Sequence, residues 1–482
     1  MKNKHLFSRG KTYSLLLAAS LYLFGSCTVG DLGGSWTPDT QNAVLESPTE
    51  LIITKSADES EMLIEWPVVS GAGGYEVAVY IADDPENLVP IMRSINGNEP
   101  QEKVTLDGCS IIYPLQSDTN YKIFVRTLGN DKFNNKEAET ALEYDFSTLV
   151  PAYATIPSGS DITTYFNDLA KPEDPKTEVA YVLEKNGHYT MSGPINFKGQ
   201  LTTLRGDKNS WPTVTMTDKA QFQTQAGLKI KYINFECANM SSNAFLSMDA
   251  SPNDALKVAS GHFVITDPIV LQSCNIHDLS KMLIHDAKQN YCLDNFTITE
   301  CFMRLKQSSA IVRMEKGTMI NFTIKNSTLY STVQNGNYFW QIAGNQPDKI
   351  TGYVKGAFSL LNSTFYNLAF SKDWGNWNAI KGKASMTLDF EKSIFVDCGR
   401  GEINNKITNG NNTLKYDSNT YWYKGAKANE KHDTNTLSTD PGFVDPLNGN
   451  FTVTGADQLS RRTGDPRWLP ETPAEGEEDA EE

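Results

Sequence analysis

The chain lacks an excess of positive charge, a CxxC pair and a hydrophobic run long enough to span a membrane. It carries 58 Asp and Glu residues against 43 Lys and Arg residues, a formal net charge of −15, whereas binding nucleic acid needs a basic face. Its seven cysteines are scattered, so a zinc site is not expected. With 39% apolar and 10% aromatic residues over 482 positions, the chain is neither disordered nor a coiled coil, and its length predicts more than one folding unit.

The first 27 residues have the layout of a secretory signal peptide. Basic residues precede the apolar run TYSLLLAASLYLF, which then meets Gly25, Ser26 and Cys27. The run is shorter than the roughly 20 apolar residues of a spanning helix. The sequence LFGSC resembles a bacterial lipobox, with Phe24 where leucine is usual, and this resemblance implies lipidation of Cys27. We therefore expect an outer-membrane lipoprotein at the cell surface, with a signal peptide at 1–27 and a flexible tether at 28–46. An ordinary secretory signal is the alternative.

Residues 47–149 show the alternation of a β-sandwich. Leu63–Tyr80 alternates apolar and polar residues on both sides of a glycine-rich turn, which predicts two strands of a meander. Tyr121 enters the next alternating stretch directly after a turn, as in a tyrosine corner, whose hydroxyl ties a loop to the strand edge. Together with Trp66, which is expected in the core, the pattern resembles a fibronectin type III domain. A rigid spacer is the favoured role, and direct ligand binding is the alternative.

Residues 152–456 repeat one short pattern at variable spacing. Alternating large apolar residues are followed by Cys or Ser and then by a large apolar marker, which is Phe235, Ile276, Met303, Leu329, Phe365 and Phe395 in successive copies. The steps of 41, 27, 26, 36 and 30 residues indicate uniform coils that carry loops of different length. This predicts roughly ten stacked coils of a parallel β-helix. A second sandwich or a propeller is the competing architecture, although no per-blade signature is visible.

Two further residue types support the coils. Small residues are expected to stack in one internal ladder, which comprises Cys274, Cys301, Ser327, Ser363 and Ser393. Asn tolerates a left-handed backbone, so the bends are predicted at Asn275, Asn326 and Asn362.

Both ends of the array carry signals of their own. Ile162, Phe166 and Leu169 follow a Ser/Asp start signal and predict a short capping helix. Ser438–Thr454 resembles a closing motif of bacterial right-handed β-helix proteins, which is carried by Asp440, Pro441, Phe443, Val444, Asp445 and Phe451. Residues 457–482, with eight acids and one Arg from Asp465 onward, predict a disordered acidic tail.

A lipobox, a fibronectin type III-like module and a pectate-lyase-like β-helix together resemble the cell-surface lipoproteins of Bacteroidetes polysaccharide-utilisation systems. The resemblance covers nearly all of the chain. It implies an all-β protein in which an N-terminal fibronectin type III-like β-sandwich is followed by a right-handed parallel β-helix. It also implies handling of pectin-like or other acidic glycans at the outer membrane, and leaves binding and cleavage open.

Catalytic candidates are few. A β-helix polysaccharide lyase needs a base, usually Lys or Arg, and Ca²⁺ or a cationic group that neutralises the uronate carboxylate. Eight residues beyond the markers Ile276 and Met303 lie Ile284 and Ile311, so the pairs that follow them, His285–Asp286 and Val312–Arg313, are expected at equivalent places on neighbouring coils. Asp286 and Arg313 would then lie side by side. A surface ion pair is the favoured interpretation, an acidic-sugar site the second and a catalytic pair the third. No metal and no cofactor are expected, and Ca²⁺ would be needed only by a lyase.

Aromatic residues in polar, glycine-rich segments are better candidates for binding. Trp340 lies in NGNYFWQIAG, and Trp374 and Trp377 lie in SKDWGNWNAIKGK, where Lys381 could meet a carboxylate. Aromatic rings stack on sugar faces, and polar flanks disfavour a core position. These four residues are therefore predicted to form a glycan platform, with packing onto the side of the β-helix as the alternative.

The sequence thus predicts a surface lipoprotein that binds polysaccharide on the flank of its β-helix. A β-helix lyase or hydrolase of an acidic glycan is the first alternative, and a structural or adhesive surface protein is the second. The expected partners are a polysaccharide, the membrane through the lipid anchor alone and other outer-membrane glycan-uptake proteins, and no nucleic acid.

Overall fold

The computed structural model describes residues 40–471, apart from 57–60, 92–101, 171, 173, 307, 343–346, 377–385, 404–411, 429 and 431. The chain divides into two compact units, Met1–Thr148 and Leu149–Glu482. Cys27, Trp377 and Lys381 lie outside the described residues.

The N-terminal unit is an antiparallel sandwich of two sheets. One sheet contains β1 (Ile52–Lys55), β2 (Glu61–Glu65) and β6 (Ser110–Pro114). The other contains β3 (Gly74–Ile81), β4 (Val89–Pro90), β5 (Val104–Leu106), β7 (Asn120–Leu128) and β8 (Leu142–Ser147). A 3₁₀ turn at Asp131–Phe133 precedes β8. The prediction of a meander is therefore wrong, because β2 and β3 belong to opposite sheets and pair with other strands.

The core of this unit forms where the inward faces of the two sheets meet. Trp66 and Tyr121 are both buried in it, at 4% and 1% exposure. The Tyr121 hydroxyl accepts a hydrogen bond from the Gln116 N–H at 2.7 Å, as a tyrosine corner requires.

The second unit is a parallel β-helix with three sheets. Sheet 1 consists of β9 (Ala152–Ile156), β10 (Val179–Leu183), β13 (Thr202–Arg205), β16 (Leu228–Lys231), β19 (Phe263–Ile265), β20 (Ile269–Gln272), β23 (Tyr291–Thr299), β26 (Thr318–Lys325), β29 (Gly356–Leu361), β32 (Met386–Glu391) and β34 (Thr413–Asp417). Sheet 2 consists of β11 (His188–Met191), β14 (Thr213–Asp218), β17 (Asn234–Met240), β21 (Asn275–Leu279), β24 (Phe302–Leu305), β27 (Thr328–Tyr330), β30 (Thr364–Tyr366), β33 (Ile394–Val396), β35 (Thr420–Tyr423) and β36 (Ala426–Lys427). Sheet 3 consists of β12 (Pro194–Asn196), β15 (Gln221–Thr224), β18 (Ala244–Met248), β22 (Met282–His285), β25 (Val312–Met314), β28 (Trp340–Ile342) and β31 (Gly375–Asn376).

The chain visits sheets 1, 2 and 3 in turn, and each strand pairs in parallel with its counterpart in the next coil. The marker positions lie in register along sheet 2, from Phe235 to Phe395. All six markers are at most 1% exposed. The predicted β-helix and its inward column of large apolar side chains are therefore confirmed.

The internal ladder of small residues is also present. Each backbone N–H of Cys301, Ser327 and Ser363 donates to the hydroxyl of the small residue one coil further on, at 3.1 to 3.3 Å. Asn419 continues the ladder by accepting from the Ser393 N–H at 2.9 Å. Five of the six described cysteines are buried and all six are free, so the cysteines here pack as small apolar residues.

One residue with positive φ makes the bend between sheets 1 and 2 in successive coils. Asn326 and Asn362 occupy this position as predicted, with φ of 49° and 45°. Asn275 does not, because it is the first residue of β21, and Ser273 takes the left-handed conformation with φ of 49°. Asn275 instead donates to Asn234 Oδ1 at 2.8 Å, along the outside of sheet 2.

Short helices lie at both ends of the β-helix. The predicted capping helix is present as α1 (Ile162–Asp168), where Asp161 accepts the Thr163 N–H at 3.0 Å as N-cap. The other helix is α2 (Ala456–Arg461). The remaining 3₁₀ turns are Asp254–Leu256, Pro347–Lys349, Gly399–Gly401, Pro446–Asn448 and Pro466–Trp468.

The C-terminal segment folds back over the outer face of sheet 2. We call residues 440–469 the C-terminal clasp. Gln458 donates to Thr420 Oγ1 at 3.1 Å, the Gly464 N–H to the Lys392 carbonyl at 2.8 Å and Arg467 to the Glu300 carbonyl at 2.9 Å, so the clasp crosses successive coils in reverse order. Phe451 of the closing motif packs on the rings of sheet 2. The predicted disordered tail from 457 is thus wrong up to Glu471, and 472–482 lie outside the described residues.

Candidate functional site

The two described tryptophans of the predicted aromatic platform are buried. Trp374 is fully buried and stacks on Phe339 with ring centroids 4.2 Å apart. Trp340 is 1% exposed and packs edge-on against Phe358. A Cβ added to Gly375 would lie 2.1 Å from Trp340 Nε1, so this glycine is required by core packing and does not mark an exposed loop. Both tryptophans are corrected to core residues.

The predicted contact between Asp286 and Arg313 is wrong by one residue. In the sheet register, Ile284 pairs with Val312 and His285 with Arg313. A register change of one residue turns a side chain to the other face of the sheet. Asp286 is accordingly fully buried, and it accepts hydrogen bonds from the backbone N–H groups of Lys288, Lys316 and Gly317 at 2.6 to 2.9 Å. It holds two consecutive turns together and is not available to a substrate.

Arg313 and His285 share a carboxylate that the sequence did not single out. Arg313 Nη2 lies 3.1 Å from Glu315 Oε1, and His285 Nε2 lies 3.4 Å from the same oxygen. The side chains of Arg313 and Glu315 are 34% and 27% exposed. The three groups form a half-buried cluster on the outer face of sheet 3.

The hydrogen bonding of His285 argues against a general base. Its Nδ1 lies 3.2 Å from the backbone nitrogen of Ala287. Because a backbone N–H can only donate, Nδ1 must accept, and the ring proton of a neutral imidazole is then on Nε2. Neither nitrogen of this tautomer has a lone pair free for a substrate proton.

The cluster belongs to a longer line of hydrogen-bonding side chains, which we call the polar row. The strand register aligns one polar residue from each strand of sheet 3, namely Asn196, Gln223, Ser247, His285, Arg313, Gln341 and Asn376. Neighbouring strands are about 4.8 Å apart, so the row is roughly 29 Å long. Only His285 and Arg313 were candidates from the sequence, since the other members are visible only once the register is known.

One edge of the polar row carries an aromatic ring and further charges. Lys372 Nζ lies 4.8 Å from the centroid of the Tyr338 ring, and both residues are half-buried. Asp373, which follows Lys372, forms an ion pair with Arg400 of the 3₁₀ turn after β33. The loops that enter β28 and β31, the last two strands of the row, therefore carry a ring and an ammonium, and the guanidinium comes from the next coil.

Within its described part, the chain has neither a metal-binding cluster nor a membrane-spanning helix. No group of three or more His, Cys, Asp or Glu side chains is arranged to hold a metal ion within the described ranges. Among those same residues, no helix has the length and apolar character needed to cross a membrane.

Three family models match parts of the chain, and all describe domains of unknown function. They are DUF4992 at residues 1–189, DUF4957 at 187–332 and DUF5123 at 358–468. No curated protein matches the chain.

Solved structures similar to the chain include two pectate lyases. Pectate lyase PelI from Erwinia chrysanthemi is 11% identical with a TM-score of 0.14, covering 66% of this chain and 89% of its own. Pectate lyase Pel3 from Pectobacterium carotovorum is 10% identical with a TM-score of 0.14, covering 80% and 99%. Likeness at this level carries no argument about activity, and the parallel β-helix is established by the register of the chain's own strands.

Proposed function

We propose that the outer face of sheet 3 binds an extended acidic polysaccharide of the pectin type along the polar row. The observation that carries the proposal is the unbroken register of seven hydrogen-bonding side chains, one for each strand of the sheet. Six of them are half-buried and face the surface, and the seventh, Ser247, is buried and donates to the Met248 carbonyl. A linear glycan offers hydroxyl and carboxylate groups at regular intervals. A straight, rigid row of amide, hydroxyl and guanidinium groups meets such a chain with little loss of conformational entropy.

Arg313 gives the row its preference for acidic chains. Its guanidinium is cationic and lies next to His285, the central member of the row. Glu315 takes only part of its donor capacity, since Nη2 is the atom that contacts the carboxylate. Arg313 Nε, although buried, has no hydrogen-bond partner in the described part of the chain. A uronate carboxylate would pair with the exposed part of the guanidinium, which Glu315 leaves partly unsatisfied.

Binding is favoured over cleavage for two reasons. The imidazole of His285 is held in a tautomer without a free lone pair, and the Arg313 guanidinium is already paired with Glu315. Neither group is therefore poised to remove a proton from a sugar carbon.

Replacing Arg313 with glutamine is expected to weaken binding of polygalacturonate about tenfold, which is about 1.4 kcal/mol, because one charge-assisted hydrogen bond is lost. Affinity electrophoresis of the whole protein in gels containing polygalacturonate measures the change. Arg304→Gln is the matched control, since Arg304 is 36% exposed against 34% for Arg313 and is likewise paired with a carboxylate, but it lies on sheet 2.

Two results would refute this proposal. The wild-type protein would migrate unretarded in every acidic glycan tested, or the two arginine variants would lose affinity equally. Ultraviolet absorbance of unsaturated uronates in the same mixtures would instead identify a lyase.

We further propose that lipidated Cys27 tethers the protein to the outer membrane, where it cooperates with other glycan-uptake proteins. The support is the sequence LFGSC alone. Cys27→Ser is expected to abolish incorporation of labelled palmitate and to release the protein from the membrane fraction, because a thioether-linked lipid cannot form on serine. Retention of label in the variant would contradict lipidation at this residue.

A further inference from the structure

The connections from sheet 3 to sheet 1 differ greatly in length. Residues 249–268 and 343–355 are long, whereas 225–227, 286–290 and 315–317 make the corresponding connections of other coils. The two long loops bond to each other reciprocally: the Ser260 N–H donates to Thr351 Oγ1 at 2.9 Å, and the Thr351 N–H donates to Ser260 Oγ at 3.1 Å. The two loops therefore meet over the outer side of the intervening coils, which contain β23 and β26.

The joined loops enclose a cleft of roughly 690 Å³ over the first residues of β23 and β26. Small-molecule sites typically have about 300–1,000 Å³. Its apolar part comes from a small separate core, in which Ile320 and Ile350 are buried and Val264 and Tyr353 pack against them. The cleft lies on sheet 1 and is thus separate from the polar row on sheet 3.

One carboxylate dominates the polar part of the cleft. Asp294 is half-buried, and burial raises the pKa of its carboxyl group above the usual range. Asn321 fixes the backbone here, because its Nδ2 donates to the Asp294 carbonyl at 3.0 Å while its Oδ1 accepts the Ala357 N–H at 3.0 Å. Lys355, the cation at the rim, donates to Thr413 Oγ1 and is engaged there.

We propose that this loop-walled cleft binds a neutral sugar residue. Sugar hydroxyls would donate to the Asp294 carboxylate, and such charge-assisted bonds are the strong ones in a partly desolvated site. The C–H face of the ring would rest on Ile320 and Val264. A uronate would bring a second carboxylate against Asp294 and is excluded by like-charge repulsion. The two ligand surfaces of the β-helix thus select opposite features of a heteropolysaccharide, acidic units on the row and neutral units in the cleft.

Saturation-transfer NMR on the whole protein tests this inference, with glucose, galactose, arabinose and rhamnose as probes and galacturonate as the acidic partner of galactose. At least one neutral sugar is expected to give a signal that comes from the cleft, whereas any signal from galacturonate comes from the polar row. Asp294→Asn keeps the shape of the side chain and is expected to weaken binding of that neutral sugar about tenfold, and to leave any galacturonate signal unchanged. Asp389→Asn is the control, because Asp389 also faces outward on sheet 1 but lies outside the cleft.

A second variant tests whether the contact between the two loops is needed for binding, and leaves Asp294 unchanged. The double variant Ser260→Ala with Thr351→Val removes the hydrogen bonds between the loops and is expected to weaken binding of the same sugar, whereas Arg304→Gln on sheet 2 is expected to leave that binding unchanged. The inference is overturned by the absence of signal from all neutral sugars, by full affinity for the neutral sugar in the Asp294→Asn variant, or by a galacturonate signal that this variant loses to the same extent as the neutral-sugar signal. None of these results depends on whether polygalacturonate binds the polar row.

Discussion

Trp374→Ala is expected to destabilise the β-helix by about 3–5 kcal/mol, the cost typical of removing a large buried aromatic side chain. The Trp374 ring is fully buried, stacks on Phe339 at 4.2 Å and meets Phe365 and Phe395 edge-on at 5.4 and 5.6 Å. Its removal leaves a cavity between consecutive coils that the stacked backbones cannot close. Urea unfolding of wild type and variant, followed by circular dichroism, measures the loss.

Two companion variants separate packing from binding. Trp374→Phe preserves the stacking and is expected to recover most of the lost stability. Trp211→Ala removes a half-buried ring whose aromatic neighbour, Tyr232, lies 6.4 Å away, and is expected to cost clearly less. If Trp374→Ala unfolded at the same urea concentration as wild type yet no longer bound glycan, the ring would be an exposed platform and its core position would be wrong.

Asp465→Asn is expected to stabilise the docking of the C-terminal clasp at neutral pH by up to about 3 kcal/mol. Burial raises the pKa of Asp465 to about 6 from an ordinary value of 3.8, although Arg467 and the Thr328 hydroxyl both favour the charged form, and Glu300 adds to the rise. The docked state therefore holds the proton more tightly than the open state. The stabilisation from this group is complete below about pH 4 and is lost as the pH rises through about 6. Asparagine cannot ionise and avoids that loss.

Hydrogen exchange of the amides between Asp457 and Trp468 measures this local opening. The difference in the free energy of opening between the Asp465→Asn variant and wild type should be small at pH 4 and should increase up to pH 7. Arg467→Gln is expected to move the wild-type transition to higher pH, because it removes the cation 3.3 Å from the carboxylate. An advantage that is the same at both pH values would show that Asp465 does not titrate on docking.

The register along sheet 2 could be predicted because its signal is local and repeated. Each coil brings one large apolar residue to the same inward position, so Phe235, Ile276 and Met303 mark successive coils whatever the length of the loops between them. The alignment of residues along sheet 3 could not be predicted by counting from these sheet 2 markers, because the number of residues between the two sheets differs from coil to coil. A register shift between Ile276 and Leu279, where Asp278 has φ of 58°, adds one residue to the first coil. The turn that follows is two residues longer in the second coil, from Leu305 to Val312, than in the first, from Leu279 to Ile284. The second coil is therefore longer by one residue in all, which is why Arg313 lies beside His285 and Asp286 points inward.

Polar context misled the assignment of aromatic residues for a related reason. Position 375 is a glycine because the Trp340 ring of the preceding coil occupies the space that a Cβ would need. In the sequence alone, a glycine directly after Trp374 suggests a flexible loop. In the same way, the sequence suggests that Gln458 and Asp465 are surface residues of an acidic tail. Both are in fact buried between the clasp and sheet 2, where they bond to Thr420 and Thr328.

The sequence by itself determined the all-β class, the coiled array with its markers and internal ladder, the capping helix and the tyrosine corner. These features depend on alternation, spacing and turn chemistry within short segments, which act before distant parts of the chain meet. Only the tertiary structure decided which strands of the sandwich pair, which tryptophans are buried, which residues form the polar row and which loops join over the Asp294 cleft. Each of these depends on contacts between segments that are far apart in the sequence. The offset between such segments is set by the lengths of the turns and loops that join them, and it becomes visible only when the strands are paired.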